Sequence, residues 1–244
     1  MRRKIALAQL DIQLGNPAEN YQKAKQAIEE AASHHADIVV LPEMWNAGYA
    51  LDQLAELADE NGQKTQKFHS ELALGNQIDI VDGSVAVRCG QSFFNTTYVY
   101  DQKGNLISSY EKVHLFGLMN EDRYLKAGQK ENHFELAGVP SASFICYDLR
   151  FPEWIRTVAR YGTDILYFSA EWPSKRIKQW KIMLQSRAIE NQAFVVAVNR
   201  VGTDLENSFN GHSLVIDPLG QIIHDAGEVE QVSYAEIDLA QLAQ

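Results

Sequence analysis

Asp37-Ile38-Val39-Val40-Leu41-Pro42-Glu43 is a short apolar run, rich in β-branched residues, that stops at a proline and a carboxylate. A run this short, closed by proline, is a buried strand rather than a helix. What precedes it fixes the fold class. Asn16-Pro17 opens a helical pattern that continues to about His34, with proline at the first helical position, where its missing N–H costs nothing. Before that, Ile5 to Leu10 is a further apolar strand. Strand, helix and strand in this order make a βαβ unit, so an α/β fold is expected, with Glu43 where the second strand ends.

Outward from this unit the texture changes. Leu51 to Gln77 has a helical pattern interrupted near Asn61-Gly62. Between Ile80 and Tyr110 the residues alternate and are β-branched or aromatic, which predicts an antiparallel meander of Ile80 to Val87, Thr96 to Tyr100 and Leu106 to Tyr110, with a turn at Lys103-Gly104-Asn105. His114 to Gln129 lacks periodicity and is expected to be a long ordered loop, a kind of segment that usually serves function. A strand from Ser141 to Ile145 then ends at Cys146. Beyond it the pattern predicts a helix from Pro152 to about Tyr161 closed by Gly162, a strand Asp164 to Phe168, and a helix from about Ser174 to Asn191. A strand Phe194 to Val198 and a hairpin turning at Pro218-Leu219-Gly220 follow. No repeat or linker divides the chain, so residues 1–244 are expected to form one domain.

Composition narrows the partners. Lys and Arg number 22 against 32 Asp and Glu, a net charge of -10 that would repel a phosphate backbone, so nucleic acid is not expected as a partner. Two cysteines are too few for a disulfide framework. Met1-Arg2-Arg3-Lys4 has the charge of a signal segment, but Gln9 and Asp11 break the apolar stretch behind it. A cytoplasmic location is therefore expected. No apolar run approaches the length of a membrane span, so no membrane partner is expected either.

Three residues at strand ends carry the candidate chemistry. Cys146 lies between Ser143-Phe144-Ile145 and a helix, where backbone N–H groups would favour a nucleophilic thiolate. Glu43 would project into a crevice, placed to carry protons. Lys112, after Tyr110-Glu111, could stabilise an oxyanion if buried. Each has a bland reading too: a core cysteine, a loop carboxylate, a solvated lysine. Their combination is what points to acyl transfer. His114 and His212 raise the alternative of a Cys-His pair, although His114, two residues from Lys112, fits loop support better. None of the 7 histidines has zinc-site spacing with a cysteine, so neither metal nor cofactor is expected.

In Leu41-Pro42-Glu43-Met44, in Tyr110-Glu111-Lys112-Val113-His114-Leu115-Phe116, and in Ile145-Cys146-Tyr147-Asp148-Leu149-Arg150-Phe151-Pro152-Glu153, the chain resembles the nitrilase, or carbon-nitrogen hydrolase, superfamily over nearly its whole length. The last run looks like the ω-amidase branch, which deamidates 2-oxo acid amides such as 2-oxoglutaramate, and Ala170-Glu171-Trp172-Pro173 with Arg176 looks like its bacterial form. The resemblance implies a four-layer αββα sandwich that pairs through its helical face into a homodimer. It implies Glu43, Lys112 and Cys146 as catalytic residues and a second glutamate between lysine and cysteine, for which Glu121 is the candidate, with Asp122 adjacent. A small amide substrate is implied, met by the Tyr147 backbone N–H at its oxyanion and by Arg176 at its carboxylate. Phe116, Tyr147 and Trp172 are candidate pocket walls. Arg150 is a candidate substrate cation that could instead brace the site through Glu153 or Asp148. A nitrilase or an N-carbamoyl amide hydrolase would use the same residues, and an inactive binding module on this fold is the non-enzymatic alternative.

Overall fold

Alternation within the apolar strands builds the layers. Side chains of a strand point to opposite faces in turn, so Ile5 and Leu7 join one apolar cluster while Ala6 and Ala8 join another. The first cluster lies between two sheets and includes Ile165, Tyr167, Phe194, Val196 and Val198. The second packs the first sheet against the helices Pro17–Ser33 and Gln63–Asn76. A third, with Leu166, Phe168, Val195 and Ala197, packs the other sheet against the helices Pro152–Ala159 and Ile177–Asn191. The order is helix, sheet, sheet, helix, a four-layer αββα sandwich. The computed structural model describes residues 1–243.

The first sheet has eight strands. Its order is Gln231–Asp238, Arg2–Gln9, Ile38–Val40, Asp79–Val81, Ser92–Tyr100, Val85–Cys89 and Asp59–Glu60, with Leu106–Glu111 paired to Ser92–Tyr100. The second, of six strands, runs Ile222–Asp225, Leu214–Ile216, Phe194–Asn199, Ile165–Ala170, Val139–Ile145 and Phe134–Leu136. The middle strands of both are parallel, with Ile5 opposite Ile38 in one and Ile165 opposite both Ser141 and Phe194 in the other. Parallel strands covered on both faces read as continuous apolar runs, which is why these were the segments most visible in the sequence.

The helix Pro17–Ser33 begins as expected, with the Asn16 side chain accepting from the Glu19 N–H. The interruption at Asn61-Gly62 is present too, both residues being left-handed at φ +51° and +66°. Elsewhere the structure departs from the expectation. Ile80 to Val87 is two strands, Asp79–Val81 and Val85–Cys89, because Asp82-Gly83-Ser84 turns toward the segment carrying Glu43. The loop after His114 contains the single turns Gly117–Met119 and Glu121–Tyr124. The strand Gln231–Asp238 was not anticipated, and it pairs with Arg2–Gln9 along its full length.

Candidate active site

Three strand ends converge. Glu43 follows Ile38–Val40 by way of Leu41-Pro42, Lys112 follows Leu106–Glu111, and Cys146 follows Val139–Ile145. The first two belong to one sheet and the third to the other, so the cluster sits where the two sheets meet. The carboxyl ends of parallel strands are the usual ligand crevice of α/β folds. Two glycines let the backbone close in. A Cβ on Gly83, at φ +74°, would collide with the Pro42 carbonyl, and one on Gly128 with the Glu111 carbonyl, each next to a residue of the cluster.

The buried Lys112 ammonium is the hub. Its Nζ donates to Glu43 Oε1 at 2.7 Å and to Glu121 Oε2 at 2.8 Å. The Tyr49 hydroxyl lies 2.8 Å from Glu43 Oε1 and 2.9 Å from Glu121 Oε1. Asn95 Nδ2 donates to Glu43 at 2.9 Å, and backbone N–H groups of Glu171 and Phe116 hold Glu43 Oε2 at 2.8 Å and Glu121 Oε2 at 2.6 Å. Asp122, the neighbouring candidate, is exposed. Burial alone would lower the Lys112 pKa, but the charges of Glu121 and Glu43 outweigh it and lift it above the usual lysine range, so the ammonium persists. Burial raises the pKa of Glu121, against the pull of Lys112 and with a further push from the Glu43 charge.

Burial, followed by the charge of the Glu43 carboxylate, drives the Cys146 thiol well above the ordinary cysteine pKa, Lys112 opposing. The thiolate expected from the position ahead of a helix is therefore overturned: in this dry setting next to a carboxylate, the resting sulfur keeps its proton. Its backbone is left-handed at φ +43°, a conformation that costs a residue with a Cβ about 1–3 kcal/mol. Asp148 holds it there. Its Oδ2 accepts from the Ile145 N–H at 3.0 Å and the Tyr110 hydroxyl at 2.7 Å, while Oδ1 accepts from the His114 N–H at 3.0 Å and lies 2.8 Å from His114 Nδ1. His114 also stacks on Phe151 at 3.7 Å between ring centres. It ties the loop to the nucleophile turn. His212 lies 2.9 Å from Asp225, away from this cluster.

A narrow pocket opens on Cys146, lined by Phe116, Tyr147, Arg150, Glu171, Trp172, Pro173 and Arg176. The structure thus brings all five candidate substrate contacts to one wall. Arg150 does not brace the site as one reading had it. Asp148 is fully engaged by its four donors, and the guanidinium lies over the Trp172 ring, 5.2 Å from its centre. Arg176 lies over Phe116 at 5.4 Å. Among the described residues neither arginine has a carboxylate within salt-bridge distance. A wider cleft beyond Tyr49, between Leu51 and Asn207, does not reach the sulfur. Tyr49, Asn95, Asp148 and Glu171 escaped the sequence reading as site residues. Their roles depend on partners brought in from other strands and loops, and only the placement of Asp148 and Glu171 beside strand ends offered a signal.

A sulfur nucleophile, a carboxylate whose charge acts on it and a fixed ammonium together define a cysteine-dependent hydrolase. The sequence signature of the carbon-nitrogen hydrolase family matches residues 4–244, and the chain belongs to that family. It is similar to a 2-oxoglutaramate amidase of Bacillus subtilis, 48% identical over 244 residues, which cover all of this chain and 94% of that protein. An ω-amidase of Saccharomyces cerevisiae is 32% identical over 253 residues, 96% of this chain and 87% of that one. Among solved structures, a carbon-nitrogen hydrolase superfamily protein of Xanthomonas campestris with an arsenic adduct in its active site superposes with a TM-score of 0.92 at 35% identity, covering 100% of this chain and 93% of that one. The protein is a cysteine-dependent amidase that cleaves amide C–N bonds.

Proposed function

We propose that the substrate is a small 2-oxo acid amide such as 2-oxoglutaramate, hydrolysed to ammonia and the dicarboxylate through a thioester on Cys146. Glu43 takes the thiol proton as sulfur adds to the carboxamide carbon. The oxyanion so formed is met by Lys112 and by the Tyr147 N–H, which lies in the first turn of the helix Cys146–Arg150, where backbone donors have no intrahelical acceptor. Glu43 passes its proton to the departing nitrogen, and ammonia leaves. A water then loses a proton to Glu43 and attacks the thioester. Collapse of that intermediate frees the acid, and the sulfur recovers the proton from Glu43. Glu121 keeps Lys112 in place throughout.

The observation that carries the choice of substrate is the pocket wall: two guanidiniums, Arg150 and Arg176, without carboxylate partners among the described residues, on the same small cavity as the sulfur. Arginine suits a carboxylate because its fork donates two parallel hydrogen bonds, and Phe116, Trp172 and Pro173 suit the methylene chain between the two ends. The deciding experiment measures ammonia release from 2-oxoglutaramate, 2-oxosuccinamate, glutamine, a nitrile and a carbamoyl amino acid. Preference for the first two is expected, and preference for the nitrile or the carbamoyl compound would refute the reading.

The same reading has residues 1–244 working as one domain in the reducing cytoplasm. It has two copies pairing through the outer helices, where Tyr161, Ile182 and Ile189 are exposed. Light scattering of the purified chain tests the pairing.

A further inference from the structure

Glu171 ends the strand Ile165–Ala170 and lines the pocket, yet the cycle above has no use for its side chain. Its Oε2 accepts from Arg200 Nη1 at 3.2 Å, and Arg200 is itself pinned by the carbonyls of Val201 at 3.0 Å and Ile12 at 2.6 Å. Its Oε1 is buried and without a hydrogen-bond partner among the described residues. Buried polar atoms are nearly always paired, so an orphan on the wall of a binding pocket is one whose partner arrives with the ligand.

The substrate's polar groups can be matched one to one with the wall. The carboxamide oxygen goes to Lys112 and Tyr147, the carboxamide nitrogen to Glu43, and the carboxylate to Arg176 and Arg150. One group of a 2-oxo acid amide is left over, the 2-oxo oxygen. We infer that Glu171 is a specificity-determining residue that donates a hydrogen bond from Oε1 to the 2-oxo oxygen of the substrate, an inference that rests on the substrate reading above.

The charge state agrees with this assignment. Burial pushes the Glu171 carboxyl up to about 8, with Arg200 opposing and Glu43 and Asp204 adding to the rise. At neutral pH the acid form therefore prevails. Because Oε2 accepts from Arg200, the proton belongs on Oε1, the oxygen left for the ligand. The other ionisable groups lining the pocket are Cys146, Tyr147, Arg150 and Arg176.

The test compares kcat/KM for 2-oxoglutaramate with that for glutaramate, the same chain without the 2-oxo group, from neutral to alkaline pH. In the wild-type enzyme the ratio of the two should fall as pH rises through about 8, because ionised Glu171 can no longer donate. Glu171→Met should lower the neutral-pH ratio about tenfold, the usual worth of one such hydrogen bond. Glu171→Gln keeps an N–H donor toward the pocket and a carbonyl toward Arg200, so it should retain most of the ratio and lose its alkaline fall. An unchanged ratio in Glu171→Met, or an alkaline fall that persists in Glu171→Gln, overturns the inference. If the methionine variant fails to fold, the pH profile of the glutamine variant decides alone. A wild-type enzyme with no preference for the 2-oxo compound refutes the substrate reading itself, a result distinct from failure of the Glu171 variants.

Discussion

Replacing Asp148 with asparagine should damage stability and rate together, and the structure sets the size of both effects. The carboxylate accepts from Ile145 N–H and Tyr110 on one oxygen, and faces His114 N–H and Nδ1 on the other. An asparagine has one acceptor oxygen, so its NH2 must face one of those pairs. Tyr110 can rotate its hydroxyl and His114 can change tautomer, but a backbone N–H can do neither. One main-chain donor is therefore left without a partner, and the remaining bonds lose the help of a charge. Hydrogen bonds to charged groups contribute about 1.5–3 kcal/mol, and an orphaned buried donor costs about 1–3 kcal/mol, which gives a total loss of roughly 3–5 kcal/mol. In a chain of this length that corresponds to a fall in Tm on the order of 6–20 °C. If the orphan is Ile145 N–H, the left-handed turn at Cys146 loosens and the sulfur shifts, and a displacement of about 1 Å can cost roughly a hundredfold in rate. Thermal unfolding followed by circular dichroism, with ammonia release assayed well below the transition, checks both effects. Wild-type Tm and wild-type kcat in a folded Asp148→Asn protein would refute the account of how the nucleophile is held.

Cys146→Ala and Glu43→Gln should each almost abolish ammonia release while leaving circular dichroism unchanged, the second by about 10²–10⁴-fold; a folded alanine variant with normal turnover would sink the nucleophile assignment. Lys112→Met leaves two buried carboxylates facing each other, and should cost about 3–5 kcal/mol in urea denaturation and about 10²–10³-fold in kcat. Because the folded-state pKa of Glu121 is already raised, that variant should regain stability as pH falls and Glu121 takes up a proton. Stability independent of pH would count against the buried cluster of Lys112, Glu43 and Glu121. Arg176→Ala should raise KM for 2-oxo acid amides at least about tenfold and leave neutral amides much less affected, and equal changes in both would remove Arg176 from the carboxylate site.

Much of the fold was legible because parallel strands buried on both faces are predominantly apolar runs. Ile5 to Leu10, Asp37 to Leu41 and Phe194 to Val198 could hardly be anything else. Gln231–Asp238 was missed because it alternates through serine, tyrosine, glutamate and aspartate, and its strand character is conferred by the neighbour it pairs with. The split between Asp79–Val81 and Val85–Cys89 was missed because Ile80-Val81 and Val85-Ala86-Val87 are apolar on either side of the short turn Asp82-Gly83-Ser84. The residues Glu43, Lys112 and Cys146 stand out as polar groups ending apolar strands. Asn95 does not, since it sits inside a strand and becomes relevant only through Glu43, 52 positions earlier. Glu171 lay in view within Ala170-Glu171-Trp172-Pro173, but an unsatisfied oxygen is a property of three-dimensional surroundings and has no signature in a linear sequence.

The pairing of Arg2–Gln9 with Gln231–Asp238 along eight consecutive positions constrains the order of events during synthesis. Arg2–Gln9 receives its outer neighbour only after residue 238 has been synthesised. Until then one edge of that strand offers free N–H and C=O groups beside Ile5 and Leu7, a template for any other extended chain nearby. Between the synthesis of residues 9 and 238 the nascent chain is therefore open to aggregation through this edge, and a chaperone that shields it would protect the molecule over that interval.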